Sequence, residues 1–305
     1  MVTIQHPLQA ADREVMAAIR QAAAPSKGQL EQDTFDAMLE QTPAASGVIY
    51  DAAEVGGVPG WWCRPVDPTE NTAILYLHGG AYAIGSARAF RHMAGQIAAR
   101  AKAVTFVAEY RLSPRSPFPG AVEDALAAYK GLVAEGFTSI ALAGDSAGGG
   151  LALVTLSHTV AEALHGTGLR PRGAAVMSPW TDLSLSGTSV ETRAEADPFL
   201  TKAILAAKAH DYLGQQDARD PLASPLFGDR TDLPPVMLHV GEDEILLDDS
   251  RRYAERFAAK DEESQLHIWA GMPHVFASSI GTLAAAEMAL DDIGTFLFQQ
   301  LHNKR

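Results

Sequence analysis

The chain has 305 residues, of which 47% are hydrophobic and 20% charged, and its formal net charge is −13. This length is enough for one large α/β domain with a well-buried core and marginal for two full domains. The acidic balance disfavours nucleic acid and anionic membrane surfaces as partners, because like charges repel. The single cysteine, Cys63, excludes an intrachain disulfide, and we interpret it as a small buried hydrophobic residue.

The beginning of the chain carries acidic side chains and no apolar run, so it does not resemble a secretory signal. No stretch approaches the roughly 20 apolar residues that a membrane-spanning helix needs. We therefore expect a cytoplasmic protein with no stable membrane association.

Residues 1–45 are predicted to be mainly helical, since apolar residues recur at three- and four-residue spacing in QAADREVMAAIRQAAA and QLEQDTFDAMLEQ. Two strand-like runs around Gly56 and Gly57 then predict a hairpin. Strands and helices alternate from there on. The predicted strands cover residues 72–77, 104–110, 139–144, 173–178, 234–240 and 265–270. Such alternation indicates a mainly parallel sheet covered on both faces, with ligands bound at the carboxyl ends of its strands.

The alternation is interrupted between residues 182 and 222, a segment too long for a simple connection. We interpret 182–222 as a cap insertion and 1–45 as an N-terminal helical cap segment. The core then comprises 46–181 and 223–305. After the insertion we predict a helix over 248–260 and a long terminal helix over about 282–300.

The pentapeptide Gly144-Asp145-Ser146-Ala147-Gly148 fits the pattern G-x-S-x-G. Such matches occur by chance, but here a predicted strand runs into the pattern and a glycine-rich helix start follows it. That strand–turn–helix setting is typical of a nucleophile elbow, whose sharp turn needs small residues around the serine. We therefore interpret Ser146 as a nucleophile, and the alternative is a helix N-cap in a tight loop.

A glycine pair follows the first strand of the alternating region, in the run HGGAY at 78–82. The backbone N–H groups of Gly79 and Gly80, with that of Ala147, are predicted to form an oxyanion hole. An ordinary glycine turn is the alternative. We interpret His78 as a residue that fixes this loop, because the order typical of a nucleophile elbow is serine, acid, histidine.

His274 lies in a loop directly beyond a predicted strand, in the run AGMPHVF, and is the predicted catalytic base. The other histidines that follow Ser146 fall in predicted helices or strands or at the tail. The acid should follow the strand at 234–240, where five carboxylates stand among residues 242–249. Position alone does not choose between them, and most are expected in solvent or at the start of the next helix.

Six runs together resemble the bacterial hormone-sensitive-lipase family of α/β-hydrolases, and most of all its small esterases and lactone or acetyl hydrolases. They are HGGAY, YRLSPRSPFPGAVEDA, GDSAGGG, SPWTDLS, DLPPVMLHVG and GMPHVF, and the resemblance covers roughly residues 45–300. It implies an α/β-hydrolase fold with an eight-stranded, mostly parallel sheet, helices on both faces and a helical cap.

The acid motif of this family is D-P-L-x-D, in which the first aspartate is catalytic. Aligned on Leu246 and Asp248, the motif puts Glu244 at the catalytic position, so this chain has Glu for Asp and Ile for Pro. Asp243 is the alternative. The family's usual H-G-G-G also differs, since its third glycine is Ala81 here, and we expect the oxyanion hole to survive.

We expect a carboxylic-ester hydrolase that acts on short- to medium-chain acyl esters or lactones through an acyl-enzyme, without a metal or organic cofactor. The alternatives are an amidase or deacetylase with the same triad, and a non-catalytic ligand receptor on this fold. The partner is a small-molecule ester, and the resemblance suggests a homodimer formed through the last strand. Candidate pocket walls, each with ordinary packing as the alternative, are Tyr82, Trp180, Phe199, Val275 and Phe276.

Overall fold

A computed structural model of the chain describes residues 1–29, 31–229, 232–256 and 263–302. Its centre is one sheet of nine strands. These strands are β1 (Val2–His6), β2 (Val48–Val55), β3 (Val58–Pro65), β4 (Thr72–Leu77), β5 (Val104–Ala108), β6 (Ser139–Asp145), β7 (Ala174–Met177), β8 (Val236–Gly241) and β9 (Gln265–Trp269). Their order across the sheet is β1-β9-β8-β7-β6-β4-β5-β3-β2.

The strand pairing agrees with the predicted alternation. All pairs from β1 to β5 across the sheet are parallel, and β3 is antiparallel to both β2 and β5. Every residue of β4, β5, β6, β7 and β8 is buried. Burial on both faces explains why these strands read as continuous apolar runs in the sequence. The predicted hairpin around Gly56 and Gly57 is the β2–β3 pair.

The expected strand number was wrong by one, because the sheet has nine described strands and not eight. The additional strand is β1, which lies in the segment predicted to be helical and pairs in parallel with β9. Its residues VTIQH include three β-branched side chains, which favour extended backbone. The helical periodicity that supported the prediction begins only at Asp12.

The helices cover both faces of the sheet. They are α1 (Asp12–Ala23), α2 (Gln32–Leu39), α3 (Ala87–Ala101), α4 (Gly120–Ala134), α5 (Ser146–Leu164), α6 (Ser189–Thr192), α7 (Lys202–Leu213), α8 (Leu247–Glu255) and α9 (Ala284–His302). One apolar core cluster packs α4, α5 and α8 on one face, and a second packs α3 and α9 on the other. Residues 257–260 of the predicted helix 248–260 lie outside the described residues.

Three carboxyl-terminal strand ends lead into the segments that carry the predicted catalytic residues. β6 runs directly into Ser146, β8 leads to Glu244, and β9 leads to His274. Since β6, β7, β8 and β9 are neighbouring parallel strands, these ends meet at one edge of the sheet. Within the described ranges, no helix is long and apolar enough to cross a bilayer.

Candidate active site

Ser146 stands at the turn between β6 and α5 with a φ of 52°, in the left-handed region that non-glycine residues rarely adopt. The first turn of α5 also packs closely on the end of β4. A Cβ atom on Gly148 would lie 2.1 Å from the carbonyl oxygen of Leu77, so only glycine fits at that position. This packing holds the serine at the N-terminus of a 19-residue helix, where backbone N–H groups are free to bind a developing negative charge.

The side chains of Ser146, His274 and Glu244 form a continuous chain of hydrogen bonds. His274 Nε2 lies 2.8 Å from Ser146 Oγ, and His274 Nδ1 lies 2.6 Å from Glu244 Oε2. Because a carboxylate only accepts, the imidazole donates from Nδ1 and its Nε2 is left to accept the serine proton. This is the arrangement in which a serine hydroxyl becomes a nucleophile.

The charge on Glu244 controls the protonation of His274. Burial by itself lowers the pKa of His274, but the carboxylate of Glu244, with smaller effects of Asp197 and Asp145, outweighs it. The net pKa shift is upward, so the imidazolium form is stabilised. The loop is also fixed on its other side, where the N–H of Val275 donates to Ser178 Oγ at 3.0 Å.

Asp243, the alternative acid, has a different partner. Its carboxylate forms an ion pair with Arg20 of α1, with an Nη2–Oδ2 distance of 2.6 Å, and its side chain is 21% exposed. The side chain of Glu244 is fully buried against His274. The geometry therefore favours Glu244 as the partner of the imidazole.

The loop after β4 corrects one of the predicted oxyanion donors. The N–H of Gly79 donates to the carboxylate of Asp145 at 3.0 Å, so it is not available to a substrate. Gly80 and Ala81 line the cavity that contains Ser146, and Gly79 does not. The N–H groups that remain for an oxyanion are those of Gly80, Ala81 and Ala147. Ala81, at the position of the family's third glycine, has a φ of 53°, a conformation that glycine adopts without strain.

A cavity of about 580 Å³ contains Ser146 and His274, a volume typical of small-molecule sites. Its walls are mainly apolar and come from several parts of the chain. They include Ile19 and Ala22 of α1, Phe35 and Leu39 of α2, Phe199 and Leu200 before α7, and Val275 and Phe276 after the histidine. The N-terminal segment and the segment between β7 and β8 thus both contribute to the site.

Comparison with known proteins shows similarity to α/β-hydrolases and esterases. A family model for the α/β-hydrolase fold matches residues 74–278. An acetyl-hydrolase of Streptomyces hygroscopicus is 39% identical over 250 residues, which are 81% of this chain and 82% of that protein. An esterase of Acinetobacter venetianus is 34% identical and covers 73% of each chain.

Similarity to solved structures identifies the family within the α/β-hydrolases to which the chain belongs. The crystal structure of an esterase from the bacterial hormone-sensitive-lipase family is 37% identical, with a TM-score of 0.86 over 96% of this chain and 99% of that one. The chain belongs to this family of α/β-hydrolases. The esterase EstE5, in a crystal soaked with p-nitrophenyl butyrate, is 36% identical and has a TM-score of 0.86 over 97% of this chain and 100% of that one. The resemblance read from the six sequence runs is confirmed.

Of the five candidate wall residues in this α/β-hydrolase, three line the cavity, namely Phe199, Val275 and Phe276. Tyr82 and Trp180 do not. Tyr82 is buried and stacks on Tyr212 with ring centroids 3.9 Å apart, and Trp180 is buried with its Nε1 donating to the carbonyl of Asp182. Both are core residues of the loops that support the site, which was the alternative for each.

Asp145 and His78 both hold the loop after β4, and of the two only Asp145 was not singled out from the sequence. Asp145 is fully buried and accepts from Tyr76 Oη at 2.7 Å as well as from Gly79, and burial raises its pKa to about 6. The carbonyl of His78 accepts from Tyr110 Oη at 2.6 Å, and the ring of His78 donates to the carbonyl of Gly79. His78 therefore lies in the loop's supporting network, and Asp145 could have been found only by its place inside the G-x-S-x-G pattern.

Proposed function

We propose that the chain hydrolyses short- to medium-chain acyl esters or lactones through a covalent acyl-enzyme on Ser146. One observation carries the proposal: Ser146, His274 and Glu244 form an unbroken hydrogen-bonded chain inside an apolar cavity of about 580 Å³. Membership in the hormone-sensitive-lipase family supports the coarser assignment, a serine carboxylesterase.

The reaction begins with attack of Ser146 Oγ on the ester carbonyl while His274 Nε2 takes the hydroxyl proton. Glu244 stabilises the imidazolium that results, since its carboxylate is buried beside Nδ1. The imidazolium then gives its proton to the leaving alcohol. A water molecule, activated by the same imidazole, hydrolyses the acyl-enzyme and releases the acid.

The negative charge of the tetrahedral intermediate needs donors that are already in position. We assign them to the N–H groups of Gly80, Ala81 and Ala147, because Asp145 engages that of Gly79. Loss of one such donor typically costs about 3 kcal/mol in the transition state. Asp145 supports these donors by tying the loop after β4 to the nucleophile turn.

The walls of the cavity support a small apolar substrate. We propose that α1 and α2, within residues 1–45, act together with residues 182–222 as a cap, because α1, α2 and Phe199 line the cavity. An acetyl-hydrolase among the relatives, and an esterase crystal soaked with a butyrate ester, support short acyl groups. The net charge of −13 also disfavours strongly anionic substrates.

The test is hydrolysis of p-nitrophenyl esters from acetate to dodecanoate, with γ- and δ-lactones, by the wild type and Ser146→Ala. We expect kcat/KM to be highest between acetate and octanoate. The S146A variant should lose activity by a factor on the order of 10⁴ or more.

The same panel distinguishes the alternatives. Matched anilides hydrolysed as fast as the esters would favour an amidase. If the wild type hydrolyses nothing and a serine-directed phosphonate does not label Ser146, the receptor alternative is correct and the proposal fails. Labelling of Ser146 by the phosphonate, together with rapid loss of esterase activity, would support the proposed acyl-enzyme mechanism.

A further inference from the structure

Three side chains of types that can bind a metal ion lie together at the β1 edge of the sheet, far along the chain from Ser146. They are His6 at the end of β1, His267 in β9 and Asp292 in α9. One ligand atom from each lies within 4.8 Å of the other two. Among the described residues, these three are the group of histidine, cysteine or acidic side chains whose ligand atoms lie close enough together to share one ion.

The spacing of the donors suits a small divalent cation. His6 Nε2 lies 2.9 Å from His267 Nδ1, and His267 Nδ1 lies 3.6 Å from Asp292 Oδ2. Tetrahedral Zn²⁺ with bonds of about 2.0–2.1 Å to nitrogen and oxygen holds neighbouring ligand atoms about 3.3 Å apart. These two distances lie on either side of that value, and no two of the three ligand atoms are more than 4.8 Å apart.

The ring of His267 is oriented by a second contact. Its Nε2 lies 2.9 Å from Gln265 Oε1, and because an amide oxygen only accepts, Nε2 carries the proton and the lone pair of Nδ1 faces His6 Nε2. A hydrogen bond from the far nitrogen to an oxygen acceptor is the usual support of a metal-binding histidine. The ring of His239 stacks on the ring of His267, with ring centroids 4.3 Å apart.

His6 is also held in place. Its ring stacks on Trp269 with centroids 3.7 Å apart and an interplanar angle of 3°. The side chain of Asp292 is 41% exposed, which gives an ion a path from solvent.

We propose that His6, His267 and Asp292 bind one Zn²⁺ ion, with water in the fourth position. Histidine and carboxylate ligands suit zinc, and the donor set is too poor in oxygen for magnesium. The ion would connect the N-terminal strand to β9 and to the terminal helix, so its role is structural. It takes no part in ester hydrolysis and is independent of the proposed function.

The test is calorimetric titration of tag-free, chelator-treated protein with ZnCl₂, and with MgCl₂ for comparison. We expect one zinc per chain, a rise of a few degrees in the unfolding temperature and no response to magnesium. His6→Gln and Asp292→Asn should each weaken zinc binding at least tenfold. Two substitutions are used because His6 also stacks on Trp269, whereas Asp292 is partly exposed.

Two further variants locate the ion. His165→Gln changes an exposed histidine at the end of α5 and should leave binding unchanged. His274→Asn removes the imidazole of the active site, and the same stoichiometry should persist in it. Zinc binding that survives both H6Q and D292N, or that disappears in H274N, would overturn the proposal and leave His6 and His267 as a hydrogen-bonded pair only.

Discussion

Glu244 has one more methylene than the aspartate of the family motif, and the structure accommodates it without loss of the hydrogen bond. Its carboxylate is fully buried and reaches His274 Nδ1 at 2.6 Å. A buried carboxylate is costly unless it is paired, so the imidazole and Glu244 depend on each other. Replacement of either should therefore change the titration of the other.

We predict that Glu244→Gln lowers kcat by a factor on the order of 10³ or more and moves the acidic limb of the pH profile to lower pH. The base must be neutral, so activity rises with pH through the pKa of His274. Glu244 raises that pKa above its ordinary value of 6.5, and the amide removes the charge responsible. The measurement is kcat and kcat/KM for p-nitrophenyl butyrate between pH 4.5 and 9.

Asp243→Asn is the matched control, since it neutralises the neighbouring carboxylate that pairs with Arg20. We expect its acidic limb to stay in place and its kcat to fall less than tenfold. A larger loss of kcat in D243N than in E244Q would assign the acid to Asp243.

The residues of the site could be predicted from the sequence where a motif specifies their positions. Ser146 and His274 follow from pattern and chain order, and Glu244 from alignment on Leu246 and Asp248. The oxyanion donors could not be fully predicted, because the direction of an N–H group depends on local backbone angles and on which acceptors lie near it. Gly79 was assigned as a donor to substrate, yet its N–H is taken by Asp145.

At the scale of elements, α1 is anchored at both ends. Asp12 at its start accepts from the N–H groups of Ala284 and Ala285, at 2.8 and 3.0 Å, and so caps α9. Arg20 near its end donates to Asp243 and to the carbonyl groups of Ala196 and Gly271. One side chain thus joins the N-terminal segment to the acid loop, the histidine loop and the segment before α7.

We predict that Arg20→Ala raises KM for hexanoate esters by about threefold to tenfold and changes KM for acetate esters less. Ile19 and Ala22, on the same helix, line the cavity, so a loosened α1 should affect longer acyl chains most. Arg20→Lys should recover only part of the loss, because one ammonium cannot reproduce the planar fork that serves three acceptors. Steady-state kinetics on the two esters measure the effect.

Arg13→Ala removes an exposed arginine from the same helix and serves as the control, with kinetics expected to match the wild type. Equal changes in KM for both esters in R20A, or a similar change in R13A, would contradict the assigned role of Arg20.

Most helices and strands could be predicted, because the spacing of their apolar residues reflects which side chains are buried. β4 was predicted at its observed bounds, since all six of its residues are buried and apolar or small. β1 was not predicted, because a five-residue edge strand buries little, and its stability comes from pairing with β9, which lies more than 250 residues away along the chain. Such a long-range contact leaves no local pattern in the sequence.

At the scale of the whole molecule, the sheet has one edge at β1 and the other at β2. The expected homodimer through the last strand stays a prediction, but the last strand, β9, is hydrogen-bonded on both sides here. Any dimer that extends this edge of the sheet would pair β1 strands. Whether β9 can pair with a strand of another chain therefore depends on whether β1 is in place.

We predict that deletion of residues 2–6 lowers the unfolding temperature by several degrees and makes the chain associate in a concentration-dependent way. The deletion exposes a row of unpaired N–H and C=O groups along β9, whose Leu266, Ile268 and Trp269 are buried in the full chain. Thermal unfolding and light scattering after size-exclusion chromatography measure both effects against the full chain.

The full-length His6→Gln variant is the control, because it removes the histidine and its stacking contact but keeps the strand. A truncated chain with the mass and unfolding temperature of the full chain would show that β1 does not protect this edge, and association of H6Q alone would assign the effect to the histidine.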